Sequence, residues 1–455
     1  MKQQRKGQKR AARKTPPFGQ PYPRLLYADA RGQVMNHDRL FPAARTGAWL
    51  TEVEAAEWIP LPEGATLAWL PGTRAIGVDP DTGEMVSLGE DAYAVGALLP
   101  QGFTRLLLPG YVKRRSDPPV TLPLFGYTAV GWVDGGFVVA AHATADPEPW
   151  NPARVRDDEI RAAVTNMLEA HPENRLFQHL SGCALEYGCL TAKNTFLGRF
   201  EGALPVSSTC NAGCVGCISE QPEDAPFPSP QTRLQFTPSV DEMVDVMLTH
   251  IRNNPQGVIS FGQGCEGEPA TRWPHIVQAI RRVREATSDG LININTNAGM
   301  TKGIQAMVDA GLDLMRVSTI SALEAHYNAY YKPRGYTLQD VADSLKYARL
   351  HGVYTSINYL VFPGVTDREE EVEAMVEFLR ETGVCLVQMR NLNIDPEYYL
   401  ERIPAQQGEL LGMAQVIEIL KAECPGLEVG SYTLAPPHGW PRRAAVRQSQ
   451  VETQL

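Results

Sequence analysis

The sequence predicts an α/β fold: a partial (βα)6 TIM-like barrel with a small β-rich domain at its N-terminal side. Three observations carry this. From about residue 203, strand-like apolar runs alternate with amphipathic helices. Between about 22 and 145, short apolar runs alternate with Pro/Gly turns and few segments reach helical length. The chain has 455 residues, more than one compact domain needs.

The order along the chain is as follows. Residues 1–20 read as a disordered basic tail; the first 14 carry seven Lys or Arg and no acid. The accessory domain, 22–145, offers strand candidates at 24–28, 66–70, 75–78, 104–108, 127–133 and 137–141. Asp79-Pro-Asp-Thr-Gly83 and Asp134-Gly-Gly136 are its turn signals. A helical and loop connector, 150–200, puts Ile160, Ala163, Val164 and Leu168 on one helical face and carries Cys183 and Cys189.

The barrel, 201–400, has strand candidates at 203–207, 258–261, 291–295, 314–318, 354–362 and 384–390. Its helices have legible ends. Ser239…Glu242 and Thr366…Glu369 read as capping boxes, Thr337 as the cap of the helix 338–350, and Gly383 as a C-terminal stop. Such alternation implies a parallel sheet with right-handed crossovers. Six units are too many for a small sheet and too few for a closed eightfold barrel. A C-terminal helix and tail, 401–455, follow.

Composition excludes several classes. Apolar content is 43 % and charged content 21 %, ordinary for a globular protein. Net charge is −10, and the body beyond the basic tail is more acidic still, which argues against general affinity for phosphate backbones. No run of 18 apolar residues predicts a membrane helix, and the charged N-terminus lacks the apolar segment of a secretory signal. Eight cysteines are too sparse for a disulfide scaffold, so a cytoplasmic protein is expected.

Three of those cysteines are clustered in Ser208-Thr-Cys210-Asn-Ala-Gly-Cys214-Val-Gly-Cys217. Thiolates at this spacing can hold three corners of a cubane iron–sulfur cluster and leave one iron open. A zinc knot is the competing reading, but only one half-site is present and no His stands nearby.

At the end of the first barrel strand, Cys-x3-Cys-x2-Cys resembles the motif of the radical S-adenosylmethionine (radical SAM) superfamily. Gly216 stands where the superfamily usually has an aromatic residue, which implies a roomier setting. The second strand leads into Ser260-Phe-Gly-Gln-Gly-Cys-Glu266-Gly267-Glu268-Pro269, similar to the family's turn that binds the amino group of S-adenosylmethionine. By the same resemblance Asn295 and Asn297, after the third strand, supply polar contacts to it. Arg316 and Ser318 on the fourth suit its carboxylate; on the fifth, the turn with Gly364 is similar to one that packs on its adenine, and Asn358 either contacts the cofactor or satisfies a buried backbone group.

The resemblance spans about 200–395. It implies a [4Fe–4S] cluster, S-adenosylmethionine cleaved reductively to a 5′-deoxyadenosyl radical, hydrogen abstraction from a substrate, and a low-potential reductant such as flavodoxin or ferredoxin.

Gln388, Arg390 and Asn391, with Asn393 and Asp395 beyond, are substrate-contact candidates at the sixth strand's end. Tyr327, Tyr330, Tyr331, Lys332 and Arg334 either line the pocket or pack an outer layer. Cys183 and Cys189, with Cys265 and Cys424 available, are the candidates for a second iron–sulfur cluster, set against a reading as buried thiols; Cys385 reads as core. His326, His351 and His438 read as structural or surface groups. The substrate is expected to be a peptide, an RNA or a cofactor precursor. The alternative class is a non-enzymatic iron–sulfur protein for electron transfer or sensing.

Overall fold

The computed structural model describes residues 22–116, 118–147, 150–151, 154–433, 435–437 and 440. The basic tail and His438 lie outside the described residues. Two compact units emerge. One comprises the described residues through Leu99, Arg105–Val120 and Tyr127–His142. The other comprises Pro100–Thr104, Thr121–Gly126 and the described residues from Ala143 onward.

The first unit is antiparallel β. Arg24–Ala28 pairs with Val130–Val133 and with Tyr93–Leu98, and Val130–Val133 forms a hairpin with Gly136–Ala143. The hairpin turns at Asp134-Gly135, where Gly135 sits at φ 105°. A second sheet pairs Phe41–Thr46 with Trp49–Glu52 and with Thr73–Val78. In the expected turn at Asp79, the side chain accepts the N–H groups of Asp81 and Thr82. Trp58, fully buried, packs with Ala44, Val53, Leu107, Val133 and Val138. Phe41–Thr46, Trp49–Glu52 and Tyr93–Leu98 are strands that the alternation of the sequence did not single out.

The second unit opens with helices α1 (Asp157–Ala170), α2 (Arg175–Leu185) and α3 (Leu190–Leu197). Ile160 and Val164 of α1 are buried, as its periodicity requires. A parallel sheet follows, with strands in chain order: β1 (Glu201–Leu204), β2 (Val258–Phe261), β3 (Leu291–Thr296), β4 (Leu314–Thr319), β5 (Tyr354–Val361), β6 (Leu386–Asn391) and β7 (Glu428–Gly430). The seventh strand is an addition to the expected six. Its three residues are too few to show a period.

Helices α4 (Val240–Asn253), α5 (Trp273–Ala286), α6 (Thr301–Ala310), α7 (Glu324–Tyr331), α8 (Leu338–Leu350), α9 (Glu369–Thr382), α10 (Pro396–Leu400) and α11 (Met413–Glu423) connect the strands. Ser239 and Glu242 form the expected capping box of α4, and Thr337 with Asp340 forms one on α8. The box at Thr366 does not form. The Thr366 hydroxyl accepts the N–H of Phe362 instead, and α9 begins after Arg368 with three glutamates in its first turn. Gly383 ends α9 at φ 64°.

β1 ends earlier than expected, because beyond Leu204 the N–H groups of Val206 and Ser207 are taken by the Glu266 carboxylate rather than by a neighbouring strand. One sheet face carries Ile259, Phe261, Ile292, Ile294, Met315, Val317, Ile357 and Val387, all buried. The opposite face begins with an apolar layer of Val258, Leu291, Leu314, Tyr354 and Leu386. Among the described residues no helix is long and apolar enough to cross a membrane.

Candidate active site

Above that apolar layer the same face turns polar, since parallel register sets every second residue beside its neighbour. Asn295 is level with Arg316, Arg316 with Ser356, and Ser318 with Asn358, which in turn is level with Gln388. These groups are wired together. Glu201 accepts from the Ser260 hydroxyl at 2.6 Å and from Arg316 at 3.0 Å. The Asn293 amide donates to Ser260 and Asn295, both at 2.9 Å. Arg316 also reaches Gln388 at 3.3 Å and the Thr433 hydroxyl.

Arg316 and Gln388 are therefore buried members of an internal network. Toward the strands' C-terminal ends lie half-buried Ser318, Asn358 and Arg390. Arg390 donates to Asn358 at 3.4 Å and to Gln388 at 3.3 Å. Burial, with Arg316 nearby, lowers its pKa to about 10, which still leaves it cationic at neutral pH. Asn391 donates to the Phe103 carbonyl at 2.9 Å, Asn393 is exposed, and Asp395 caps α10.

The cysteine loop is held as a strap. Gly213 and Val215 donate backbone N–H groups to the carbonyls of Tyr331 and Tyr330, each at 2.9 Å, and Arg334 donates to the Asn211 carbonyl at 2.8 Å. Cys210, Cys214 and Cys217 are all half-buried free thiols. Burial pushes Cys214 up strongly, and the other two sulfurs add to it. Burial pushes Cys210 up as well. Arg233 donates to the Cys217 sulfur at 3.5 Å, with Ser219 at 3.7 Å. Three thiols on one loop, with a cation beside Cys217, form a donor set whose chemistry fits an iron–sulfur cluster carrying net negative charge.

The room expected at Gly216 is filled from elsewhere. A Cβ there would stand 2.9 Å from the Tyr330 hydroxyl. Tyr330, on α7, brings an aromatic ring to the third cysteine. Tyr327 and Tyr331 are buried with it, and the exposed Lys332 and Arg334 stand over Gly213.

The turn after β2 meets this strap. Gly267 donates to the Ser207 carbonyl at 2.8 Å and Glu268 to the Thr209 carbonyl at 2.9 Å. A Cβ on Gly267 would sit 2.1 Å from the Thr209 oxygen, so only glycine fits. Both acids of the turn are already engaged. Glu266 accepts the N–H groups of Val206, Ser207 and Gln263; burial pushes its carboxyl up to about 8 against their pull. Glu268 accepts from Thr296, Asn297 and Ala270 and caps the short turn at Pro269. Asn297 then donates to the Asn211 side chain at 2.6 Å, joining β3 to the strap, and Asn295 donates to the Gly262 carbonyl at 2.6 Å. Gly364 is buried, with its N–H on Asp367 at 2.6 Å.

The remaining candidates disperse. His326 is buried between Glu371 and Tyr399, His351 stacks on Tyr347, and Cys424 lies against α9 near the Val376 carbonyl. Cys385 is half-buried beside Thr355. The Cys183 sulfur comes together with His179 and Cys265, while Cys189 meets the Cys183 carbonyl through its N–H at 3.0 Å and places its sulfur 3.2 Å from the Thr191 hydroxyl.

Residues 204–379 match the model of the radical SAM superfamily, whose members are enzymes that bind a [4Fe–4S] cluster and S-adenosylmethionine. No curated protein matches the chain by sequence. Among solved structures, the chain is similar to Streptococcus suis SuiB bound to precursor peptide SuiA, with 15 % identity, a TM-score of 0.36, and 60 % of this chain covering 55 % of that one. The same SuiB bound to S-adenosylmethionine gives 15 %, 0.37, 62 % and 69 %. A radical SAM methyltransferase from Sphaerobacter thermophilus gives 16 %, 0.36, 51 % and 65 %.

Proposed function

We propose that this protein is a radical SAM enzyme whose parallel sheet curves as a partial barrel, with its reaction at the C-terminal strand ends. The observation that carries the reading is the joint between the two loops. The strap bearing Cys210, Cys214 and Cys217 is hydrogen-bonded through Ser207 and Thr209 to Gly267 and Glu268 of the turn. Cys210, Cys214 and Cys217 would hold the [4Fe–4S] cluster, and the bound pair of cluster and S-adenosylmethionine supplies a 5′-deoxyadenosyl radical that abstracts hydrogen.

The chain's own part is placement. Glu266 and Glu268 fix the turn so that the backbone at Gly267 presents itself to an ammonium group; Pro269 starts the short turn that follows. Arg390 takes the carboxylate role expected of Arg316, because it lies nearer the strand ends and half-exposed, with Ser318 and Asn358 beside it. Asn295 holds the Gly262 carbonyl and Asn297 the Asn211 side chain, and Gly364 with Asp367 sets the turn after β5. Arg233 beside Cys217 favours the electron-rich cluster.

The substrate is a peptide, an RNA or a cofactor precursor; the electron comes from flavodoxin or ferredoxin; the setting is the cytoplasm. A non-enzymatic iron–sulfur protein is not favoured, since the family match takes in the turn and the strand ends as well as the cysteines.

The test is anaerobic reconstitution followed by iron, sulfide and 5′-deoxyadenosine assays with dithionite and S-adenosylmethionine. About four irons per chain and 5′-deoxyadenosine that disappears in Cys210→Ala/Cys214→Ala/Cys217→Ala are expected. An iron content unchanged in that variant would refute the ligand assignment.

A further inference from the structure

A second cluster of metal-binding side chains lies outside the cysteine strap. His179 and Cys183 stand four residues apart on α2 and so share a face. Cys265, on the loop after β2, meets them. The His179 ring nitrogen, the Cys183 sulfur and the Cys265 sulfur lie within 4.8 Å of one another, and His179 Nε2 stands 3.7 Å from Cys183 Sγ. Cys183 and Cys265 are buried. After α2, Gly188 at φ 65° turns the chain back, and Cys189 donates its N–H to the Cys183 carbonyl at 3.0 Å.

The spacing decides what such a group can hold. Two ligands on one tetrahedral zinc ion stand about 3.6–3.8 Å apart, given metal–ligand distances near 2.0 and 2.3 Å. Thiolates on different irons of a cubane cluster stand about 6 Å apart. The 3.7 Å between His179 and Cys183 matches a single ion, and separations within 4.8 Å are too short for a cubane cluster.

We propose that His179, Cys183 and Cys265 bind one zinc ion, with Cys189 from the adjoining turn as the fourth ligand. The donor set, three cysteines and one histidine, is that of a closed structural zinc site. Its consequence is mechanical. Cys265 directly precedes Glu266-Gly267-Glu268, and Gln263 of the same loop accepts from Thr191 of α3 at 3.0 Å. The ion would staple the turn that meets the cysteine strap to the helical layer, and it would stand apart from the three cysteines of the strap.

The experiment measures zinc, iron and sulfide in full-length protein and in Cys210→Ala/Cys214→Ala/Cys217→Ala, both purified from zinc-supplemented medium. About one zinc per chain is expected in each, so the result is independent of the strap's occupant. Cys183→Ser or Cys265→Ser in the triple-substituted background should lower zinc by at least about tenfold. Growth on cobalt reads the unaltered site, without reliance on a variant that folds. A thiolate-to-cobalt charge-transfer band of a tetrahedral ion is expected, and it should weaken in Cys189→Ser. Zinc that disappears in the triple variant but survives Cys183→Ser would overturn the assignment. So would iron with sulfide retained in the triple variant, or a Cys183–Cys265 disulfide in freshly purified, metal-free protein.

Discussion

Arg316 Nη2 lies 3.0 Å from Glu201 Oε1, and both side chains are buried on the polar face of the sheet. β1 and β4 are not neighbours, so this pair spans the face between strands that never hydrogen-bond to each other. Removing one partner strands a charge away from water. Glu201→Ala should destabilise the protein by about 3–5 kcal/mol in urea unfolding, and Arg316→Met with Glu201→Gln should recover most of that loss. A loss in the double variant equal to the sum of the single losses would show that the pair does not couple.

Gly267→Ala should separate the two loops. The added methyl would meet the Thr209 carbonyl at 2.1 Å, and a backbone oxygen has no flexible arm with which to yield. Reconstituted protein should make at least about tenfold less 5′-deoxyadenosine with far-UV circular dichroism unchanged. Wild-type rates in Gly267→Ala would show that the joint can relax.

Tyr330 and Gly216 should behave as a coupled pair. Gly216→Phe would press its Cβ against the Tyr330 hydroxyl, so iron uptake should drop several-fold. Adding Tyr330→Ala should restore it. Additive losses in the double variant would mean the two do not share one space.

His250 gives an acid-sensitive term. It is buried against Gly202 of β1, and burial lowers its pKa to about 4 from an ordinary 6.5. The unfolded chain therefore binds the proton more readily between those pH values. Stability is complete above about pH 6.5 and is lost toward pH 4, by about 3 kcal/mol from this group. Urea midpoints from pH 7 to 4 should fall less steeply in His250→Gln.

The fold of the second unit was largely legible because parallel strands buried on both faces and capped helices leave strong periods. The strand Val258–Phe261 and the caps at Ser239 and Thr337 illustrate this. The first unit was less so. Phe41–Thr46 contains Pro42 and Arg45, and Met85–Ser87 has three residues, so neither shows alternation.

At the site, residues adjacent in sequence were found and those assembled by topology were not. Arg233, Tyr330 and Glu201 reach the strap or the polar network from distant segments. Only Glu201 carried a signal, as an acid at the start of an apolar strand. Arg316 was placed at the rim because strand position is visible in sequence, whereas depth along the strand is set by its neighbours.

The strap's backbone partners, Tyr330 and Tyr331, lie more than a hundred residues beyond Cys214. During synthesis the three thiols leave the ribosome well before the helix that shapes them. They travel as an unformed, oxidisable triad until α7 arrives. A delivery system that loads iron would meet a competent seat only on a chain already extended past α7. Truncation before α7 would leave the cysteines intact and the seat unmade.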